Sequence, residues 1–492
     1  MIAAVERPPV DWFALSPELS LLAAAGICLL AAVLVPAGAR RATAALVGAG
    51  GFAAAFVFAV LLYDRSPDGE SIIGGVIRRD RFGAMAALII AGVGFAAVWI
   101  SYAEPLKEHT AEYYSLLAAA GAGMIFLAHA NSLMTLFLGL EWFSISLYIL
   151  CAIDRERERS LEAGLKYLIV GGFGSAVLLF GSAFVYGSTG QLQFEKIADA
   201  VGVQNLAHDS MLLFGLAMIL AGLGFKVSAA PFHMWTPDVY EGAPSPVTAF
   251  MSAATKVAAL MLMLRVLFTA FPQEARIWTI AVAVLACASL AVGNLAALVQ
   301  TRVKRLLAYS SISHAGFMLI AIASHNELGA KALVYYLIPY SAMSLGAFGV
   351  VAARERELGG REVTLENLAG MGWERPLLGV SMWAFMLGFA GLPPTGGFLG
   401  KFYVFSAAYD RGWLWLVIVG IAATAVSLYY YLAVIRALYL RPSAELQFAA
   451  GGQPPRDILL NLGVLACFVV TVGSFFAAGP LLDLAGKAVQ TL

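Results

Sequence analysis

An all-α integral membrane protein of about fourteen transmembrane helices is the fold class this sequence predicts. Three observations lead there. Of the 492 residues, 61% are hydrophobic and only 13% are charged, where a soluble globular chain carries about 25% charged residues. The apolar stretches run unbroken for about 20 residues, enough for a spanning helix; a barrel strand would alternate over about 10. Two stretches are interrupted by proline, at Pro231 and at "GLPPTGG" (391–397).

The runs fall at about 17–38, 43–62, 82–102, 112–128, 132–152, 163–186, 210–230, 246–271, 277–299, 304–323, 331–353, 377–409, 413–440 and 457–480. The seventh stops at Pro231 and the twelfth is long and broken. Proline removes a helix donor and clashes with the preceding turn. At membrane depth such a break survives only packed in protein or beside a wet cavity. Paired interruptions are the mark of repeat-built transporters. The two segments share little beyond Pro, Gly and one Lys, so the residues alone leave the repeat a suspicion.

The stretch "MIAAVERPPVDWFALSPELS" has acidic residues and prolines before the first apolar run. It lacks the basic start of a cleavable signal, and the first helix is expected to remain. With the N-terminus outside, the inward connections lie near 40, 107, 155–159, 302–305, 354–375 and 441–456. They hold about 15 basic residues against about 10 outward, which favours both ends outside. The outward loop "DRSPDGESIIGGVIRRDRFG" (64–83) reads as a small hairpin. The stretch "ARERELGGREVTLENLAGMGWERP" (353–376) reads as a surface linker.

The formal net charge is zero, which gives no basis for nucleic-acid binding. Cys28, Cys151, Cys287 and Cys467 lie singly in separate apolar runs, and the six histidines are scattered. No haem, iron–sulfur, flavin or metal site is expected, so any redox chemistry belongs on another polypeptide.

Ionisable groups at bilayer depth cost at least about 2.5–3.5 kcal/mol, and each needs a reason. Glu141 lies about 14 Å from either end of its run, too deep to snorkel. A structural pair or protonated core acid competes there with a proton site. Lys226 lies just before Pro231, where snorkelling competes with a channel role. Lys256 sits about ten residues into its helix on a stripe with Thr248, Ser252 and Thr255. Lys401 follows the second break, where the helix macrodipole opposes an amine. Lys166 and Lys304 lie nearer helix starts, and Lys304 reads as snorkelling. His314, in "AYSSISHAG", is either a bonded core histidine or a relay. His233 and Asp238 mark an entrance or merely shape the break.

Lysine suits proton work, because it has three donors and no acceptor and cannot ligate Na⁺. A Glu141–Lys226 pair at about 4 Å would attract by about 4 kcal/mol at an effective dielectric near 20. Opening it would release a proton toward Lys256 and Lys401. Moving one charge across 100 mV costs about 2.3 kcal/mol, so one such switch is of useful size.

The stretches "FKVSAAPFHMWTPDVYEGAPSPVTAFMSAATKVA" (225–258) and "GLPPTGGFLGKFYVF" (391–405) resemble the N-type antiporter-like subunit family of bacterial respiratory complex I, the proton-translocating NADH–quinone oxidoreductase. The resemblance covers essentially the whole chain. The stretch "MWTPDVYEGAPSPVTAF" is the N form, and Lys401 stands where M-type chains carry glutamate. It implies two inverted five-helix repeats, each with a broken helix, at about 112–271 and 277–440. A three-helix N-terminal unit (1–111) precedes them and a C-terminal helix (457–480) follows. It implies a proton channel through Glu141, Lys226, Lys256 and Lys401, and raises Lys166 among the candidates. FMN, iron–sulfur clusters and the quinone site are implied on partner subunits of the membrane and redox arms, in a bacterial inner membrane. The competing reading is a subunit of a multisubunit cation/proton antiporter without redox partner; the lack of a deep oxygen-ligand cluster weighs against Na⁺.

Overall fold

A computed structural model describes residues 10–104, 109–440 and 457–492. The first nine residues and the connections at 105–108 and 441–456, read above as part of the N-terminal stretch and as inward loops, lie outside the described residues.

Two long helices, α1 (Ser16–Leu34) and α2 (Ala37–Arg65), lead to the hairpin β1 (Glu70–Ile72) and β2 (Ile77–Arg79), then α3 (Arg81–Ser101). Next come α4 (Thr110–Ala128), α5 (Leu133–Cys151), α6 (Glu158–Thr189) and the short α7 (Phe194–Gln204). The seventh crossing, α8 (Ser210–Val227), breaks and continues as α9 (Trp235–Gly242). Four helices follow: α10 (Ser245–Thr269), α11 (Ala275–Ala297), α12 (Val303–Ala323) and α13 (Glu327–Glu357). After the single turn α14 (Met371–Glu374), the twelfth crossing comes in two halves, α15 (Pro376–Ala390) and α16 (Gly396–Asp410). The chain closes with α17 (Leu414–Tyr439), α18 (Ile458–Phe476) and α19 (Ala478–Val489).

Thirteen of these helices are long and apolar enough to cross a membrane, and α15 with α16 supplies one further crossing. Each run read from the sequence corresponds to one crossing. The hairpin is antiparallel, with Glu70 opposite Arg79 and Ile72 opposite Ile77. Periodicity did not disclose α7 and α19. Both are short and amphipathic, and α19 follows α18 after a single residue.

The core is organised around α10, buried from Ser245 to Leu267, and α13, most of which is buried. In lipid there is no hydrophobic drive between helices, so close backbone approach matters. A Cβ on Gly181 of α6 would lie 2.7 Å from the Gly215 carbonyl of α8. One on Gly293 of α11 would lie 2.6 Å from the Ser313 nitrogen of α12. Glycine permits both seams.

Three of the connections counted as inward meet at one end of the bundle. Arg157 pairs with Glu355 at 2.8 Å, and Arg302 with Glu362 at 3.1 Å, so connections 155–159, 302–305 and 354–375 share one end. At the other end Ile77 bridges to Ala130 and Ser132 to Gln193. The stretch 353–376 is not simply a surface linker. Helix α13 runs on to Glu357, and Arg354 and Glu355 are buried. Their charges are matched there: Glu355 accepts from Ser245 and Arg157, and Arg354 reaches Glu357 at 3.1 Å.

Candidate functional site

Both broken helices end the same way. In α8 the residue Ser228 adopts left-handed φ +60°, the Ala229 N–H donates to Gly224 and the Ser228 N–H to Phe225. In α15 Gly391 has φ +77°, the Leu392 N–H donates to Leu387 and the Gly391 N–H to Gly388. This is the Schellman termination, which satisfies part of the last turn and leaves other carbonyls needing donors. Cis peptides follow, Ala230–Pro231 and Pro393–Pro394.

Buried lysines supply those donors. The Lys256 ammonium, carried by α10, donates to the Val227 carbonyl. The Lys401 ammonium, carried by α16, donates to Phe389 at 2.8 Å and Ala390 at 3.5 Å, and lies 4.3 Å from the Phe317 ring centre. Each cation thus sits at a helix C-terminus, the end of the macrodipole that favours it. For Lys401 this reverses the expectation drawn from its own helix: the ammonium faces the C-terminus of α15 rather than the N-terminus of α16.

Lys226 is different. It lies in the last turn of α8, 5% exposed, and its Nζ donates to Ser144 Oγ of α5 at 2.8 Å. The Phe143 and Tyr148 ring centres lie 5.6 and 5.9 Å from the ammonium. Glu141 is one turn before Ser144 on α5, and its Oε1 is buried without a hydrogen-bond partner. The expected direct Glu141–Lys226 pair is therefore replaced by a hydroxyl contact. More orphaned polar atoms surround the break: Tyr148 OH, Ser228 Oγ, His233 Nδ1, Thr236 Oγ1 and Tyr240 OH. Each unpaired buried group costs about 1–3 kcal/mol, so together they form a costly cluster of buried polar groups at the break.

Buried polar contacts continue across α10. Ser252, one turn before Lys256, shares a hydrogen bond with Ser344 at 2.7 Å. Tyr340 OH reaches the Ser252 carbonyl at 3.5 Å and Ser311 Oγ at 2.9 Å. His314, one turn beyond Ser311, bonds Tyr336 OH through Nδ1 at 2.7 Å and Tyr431 OH through Nε2 at 3.1 Å. It is a bonded core histidine placed within that line.

Two candidates stand elsewhere than expected. Lys166 is partly exposed, and its Nζ is held by Glu162 at 2.7 Å and Asp238 at 2.9 Å. It does not join the deep line. With Arg305, which bonds Asp238 and Glu241 at 2.8 Å each, it lines a charged cleft of about 190 Å³ between α6, α9 and α12. Burial alone would raise the Asp238 carboxyl, yet Lys166 and Arg305 hold it below the ordinary aspartate range. Lys304 is not snorkelling: it is 6% exposed and donates to the Ala243 carbonyl, the C-cap of α9. A buried amine over a short helix end is better matched there than in the lipid interface.

Sequence reasoning missed Ser144 and the buried pair Asp80–Arg265. Arg265 donates to both Asp80 oxygens, at 2.5 and 2.9 Å, with both side chains fully buried. The signals were present: Ser144 is one helical turn after Glu141, and Arg265 interrupts the apolar run "MLMLRVLF".

Fold and site define a polytopic helical membrane protein whose buried lysines converge on two matching helix breaks. Residues 130–427 match the family described as NADH:quinone oxidoreductase/Mrp antiporter, TM, and the chain belongs to that family. It is 44% identical over 368 residues to NADH-quinone oxidoreductase subunit N of Trichlorobacter lovleyi, covering 74% of this chain and 75% of the relative. It is 37% identical to NADH-quinone oxidoreductase subunit N 2 of Roseiflexus castenholzii, covering 98% and 97%. A chain of respiratory complex I from Thermus thermophilus superposes with a TM-score of 0.79 at 32% identity, over 96% of this chain and 99% of that one. A chain of the Mrp complex from Dietzia superposes at 0.83 with 22% identity, covering 96% of each, a likeness of fold.

Proposed function

We propose that this chain is the N-type, antiporter-like subunit of the membrane arm of a proton-translocating NADH–quinone oxidoreductase, and that protons cross the membrane through it. The observation that carries the reading is the run of three buried ammoniums, on Lys226, Lys256 and Lys401, each docked at or beside a helix break. Identity of 37–44% to subunits of that name supports the assignment over an antiporter without redox partner, because the likeness to the Mrp complex is one of fold.

In this reading Glu141 and Lys226 form the switch. When the ammonium closes on Glu141 it keeps its proton; when it moves to Ser144 that hold is weakened. Lys256 carries the charge change past α10, the stripe through Tyr340, Ser311 and His314 takes it onward, and Lys401 is the terminal donor. The orphaned groups near His233, Thr236 and Tyr240 are suited to holding ordered water, which needs two to four polar partners. The cleft at Lys166 and Asp238 opens the path toward the positive-inside face, and Lys304 lies buried behind it on the Ala243 carbonyl. NADH, FMN, the iron–sulfur clusters and the quinone belong to partner subunits in this reading.

Corresponding elements of 112–271 and 277–440 are five crossings apart, an odd number, which supports reading the two units as inverted repeats. Both termini then lie on the periplasmic side of a bacterial inner membrane. The test is complementation of a strain lacking the subunit with Lys226→Ala and Glu141→Ala. Both are expected to assemble, yet to lose most quinone-linked proton pumping in membrane vesicles. Full pumping by both would remove the channel assignment.

A further inference from the structure

The contact between Lys226 and Ser144 raises a question that the lysines and Glu141 alone leave open. A buried ammonium one turn from a carboxylate should close on it, because charge attraction across a poorly screened interior outweighs a bond to a neutral hydroxyl. Here it does not. Ser144 Oγ accepts from Lys226 Nζ at 2.8 Å and commits its own proton to the Leu140 carbonyl. Its lone pairs therefore face the ammonium. The flanking Phe143 and Tyr148 rings, 5.6 and 5.9 Å away, add attraction from the same side. Glu141 Oε1 is left buried and unpartnered. The Ser144 hydroxyl and the Glu141 carboxyl are thus two acceptors on α5, about 4.5 Å apart along the helix axis, and the ammonium rests on the first.

We propose that Ser144 is a positioning residue that provides the open berth of the Glu141–Lys226 switch, bringing the open and closed states close enough in free energy for a small trigger to move the ammonium between them. A switch responds to a trigger only when its two states differ modestly. Without the hydroxyl the open state would leave the ammonium donating to nothing, and the pair would stay shut.

The second half of the molecule supports a role for this position. Ser144 and His314 are each the twelfth residue after their helix N-caps, Ser132 and Arg302, and each N-cap forms an isolated β-bridge, to Gln193 and Thr364. Phe389 stands two residues before the left-handed Gly391, as Lys226 stands before Ser228. Where the first unit pairs lysine with serine, the second packs His314 against Phe389 with tilted rings and ring centres 5.0 Å apart. The hydroxyl is present where there is an ammonium to receive.

The inference rests on the proton-channel reading, and the experiment separates the two. Ser144→Ala and Ser144→Thr are made in the full complex and compared with Lys226→Ala. A lost hydrogen bond to a charged group shifts an equilibrium by about tenfold or more. Ser144→Ala is therefore expected to lower quinone-linked proton pumping about tenfold at normal complex content. Ser144→Thr, which restores a hydroxyl facing the same i−4 carbonyl, is expected to recover at least half the rate. A cryo-EM map of the Ser144→Ala complex is expected to place Lys226 Nζ on Glu141. Pumping by Ser144→Ala at the parent rate, or equal loss in Ser144→Thr, overturns the positioning role while an inactive Lys226→Ala leaves the channel standing. Full activity of Lys226→Ala overturns the channel reading itself.

Discussion

The two breaks share a backbone and differ in charge. Each helix ends in a Schellman turn with a left-handed residue, Ser228 or Gly391, and each exposes carbonyls that a buried lysine caps. At the first break the capping lysine comes from a separate helix, α10, and a second lysine projects from the broken helix itself. At the second the cap comes from the half-helix just after the break, and Phe389 occupies the place of Lys226. The difference shows that backbone termination and the placing of charge are separable. The break creates a cation-favouring C-terminus at membrane depth, and the side chains decide whether that end holds one charge or two. Two ammoniums near one break, with the Glu141 carboxyl close by, is the arrangement that the proposed function assigns to the moving charge. One ammonium held on two carbonyls is what the proposed function takes as the terminus.

The largest effects should follow from removing the mobile charge. Lys226→Ala and Glu141→Ala should each cut pumping more than about tenfold, the effect of losing at least 1.4 kcal/mol of a required state. Equal and mild losses at Lys226 and Lys401 would erase the distinction drawn between the breaks. Next comes Gly391→Ala. Its Cβ would stand 2.9 Å from Lys401 Cδ, and a non-glycine left-handed residue costs about 1–2 kcal/mol. Pumping should fall several-fold, with complex content only slightly reduced. Ser228→Gly should assemble at least as well as the parent, since glycine relieves the same strain. A wild-type Gly391→Ala would mean that Lys401 has room to shift without consequence. Smaller again is Lys304→Ala, which removes the α9 cap. A modest drop in thermal midpoint and in pumping is expected, and loss of assembly would instead make Lys304 a folding residue.

The crossings were legible because their signal is composition over length. Fourteen apolar runs became fourteen crossings, and even the proline breaks could be placed. The depth of Glu141, Lys226, Lys256 and Lys401 was legible for the same reason, since position within a run measures depth. What each charge bonds to was not. Lys401 was judged against its own helix, when the nearer dipole belongs to α15, brought beside it by the fold. Lys304 was read as snorkelling because it starts a helix, yet α9 covers it. Lys166 and Asp238, 72 residues apart in sequence, meet only because α9 packs beside α6. Ser144 escaped notice because serine in a spanning helix is common and usually bonds its own i−4 carbonyl, as it does here in addition to receiving Lys226.

The charged cleft should carry the smallest effect, and its pH dependence has a definite sign. Lys166 and Arg305 hold the folded Asp238 carboxyl below its ordinary value despite burial, and Arg305 and Arg302 do the same for Glu241. A carboxyl depressed on folding stabilises fully above its unfolded pKa, about 3.9 for aspartate. That contribution is lost as the pH falls through the folded value. Asp238→Asn should therefore lower the thermal midpoint of the detergent-solubilised complex at neutral pH. The gap to the parent should close as the pH is taken below about 4. Because the groups are partly exposed, the gap should also shrink in high salt, where screening reaches across a few ångströms. A gap that stays constant across both titrations would assign Asp238 a shape-keeping part in the break rather than a charged one. Unchanged pumping in Asp238→Asn would then detach the cleft from the path that the first break serves.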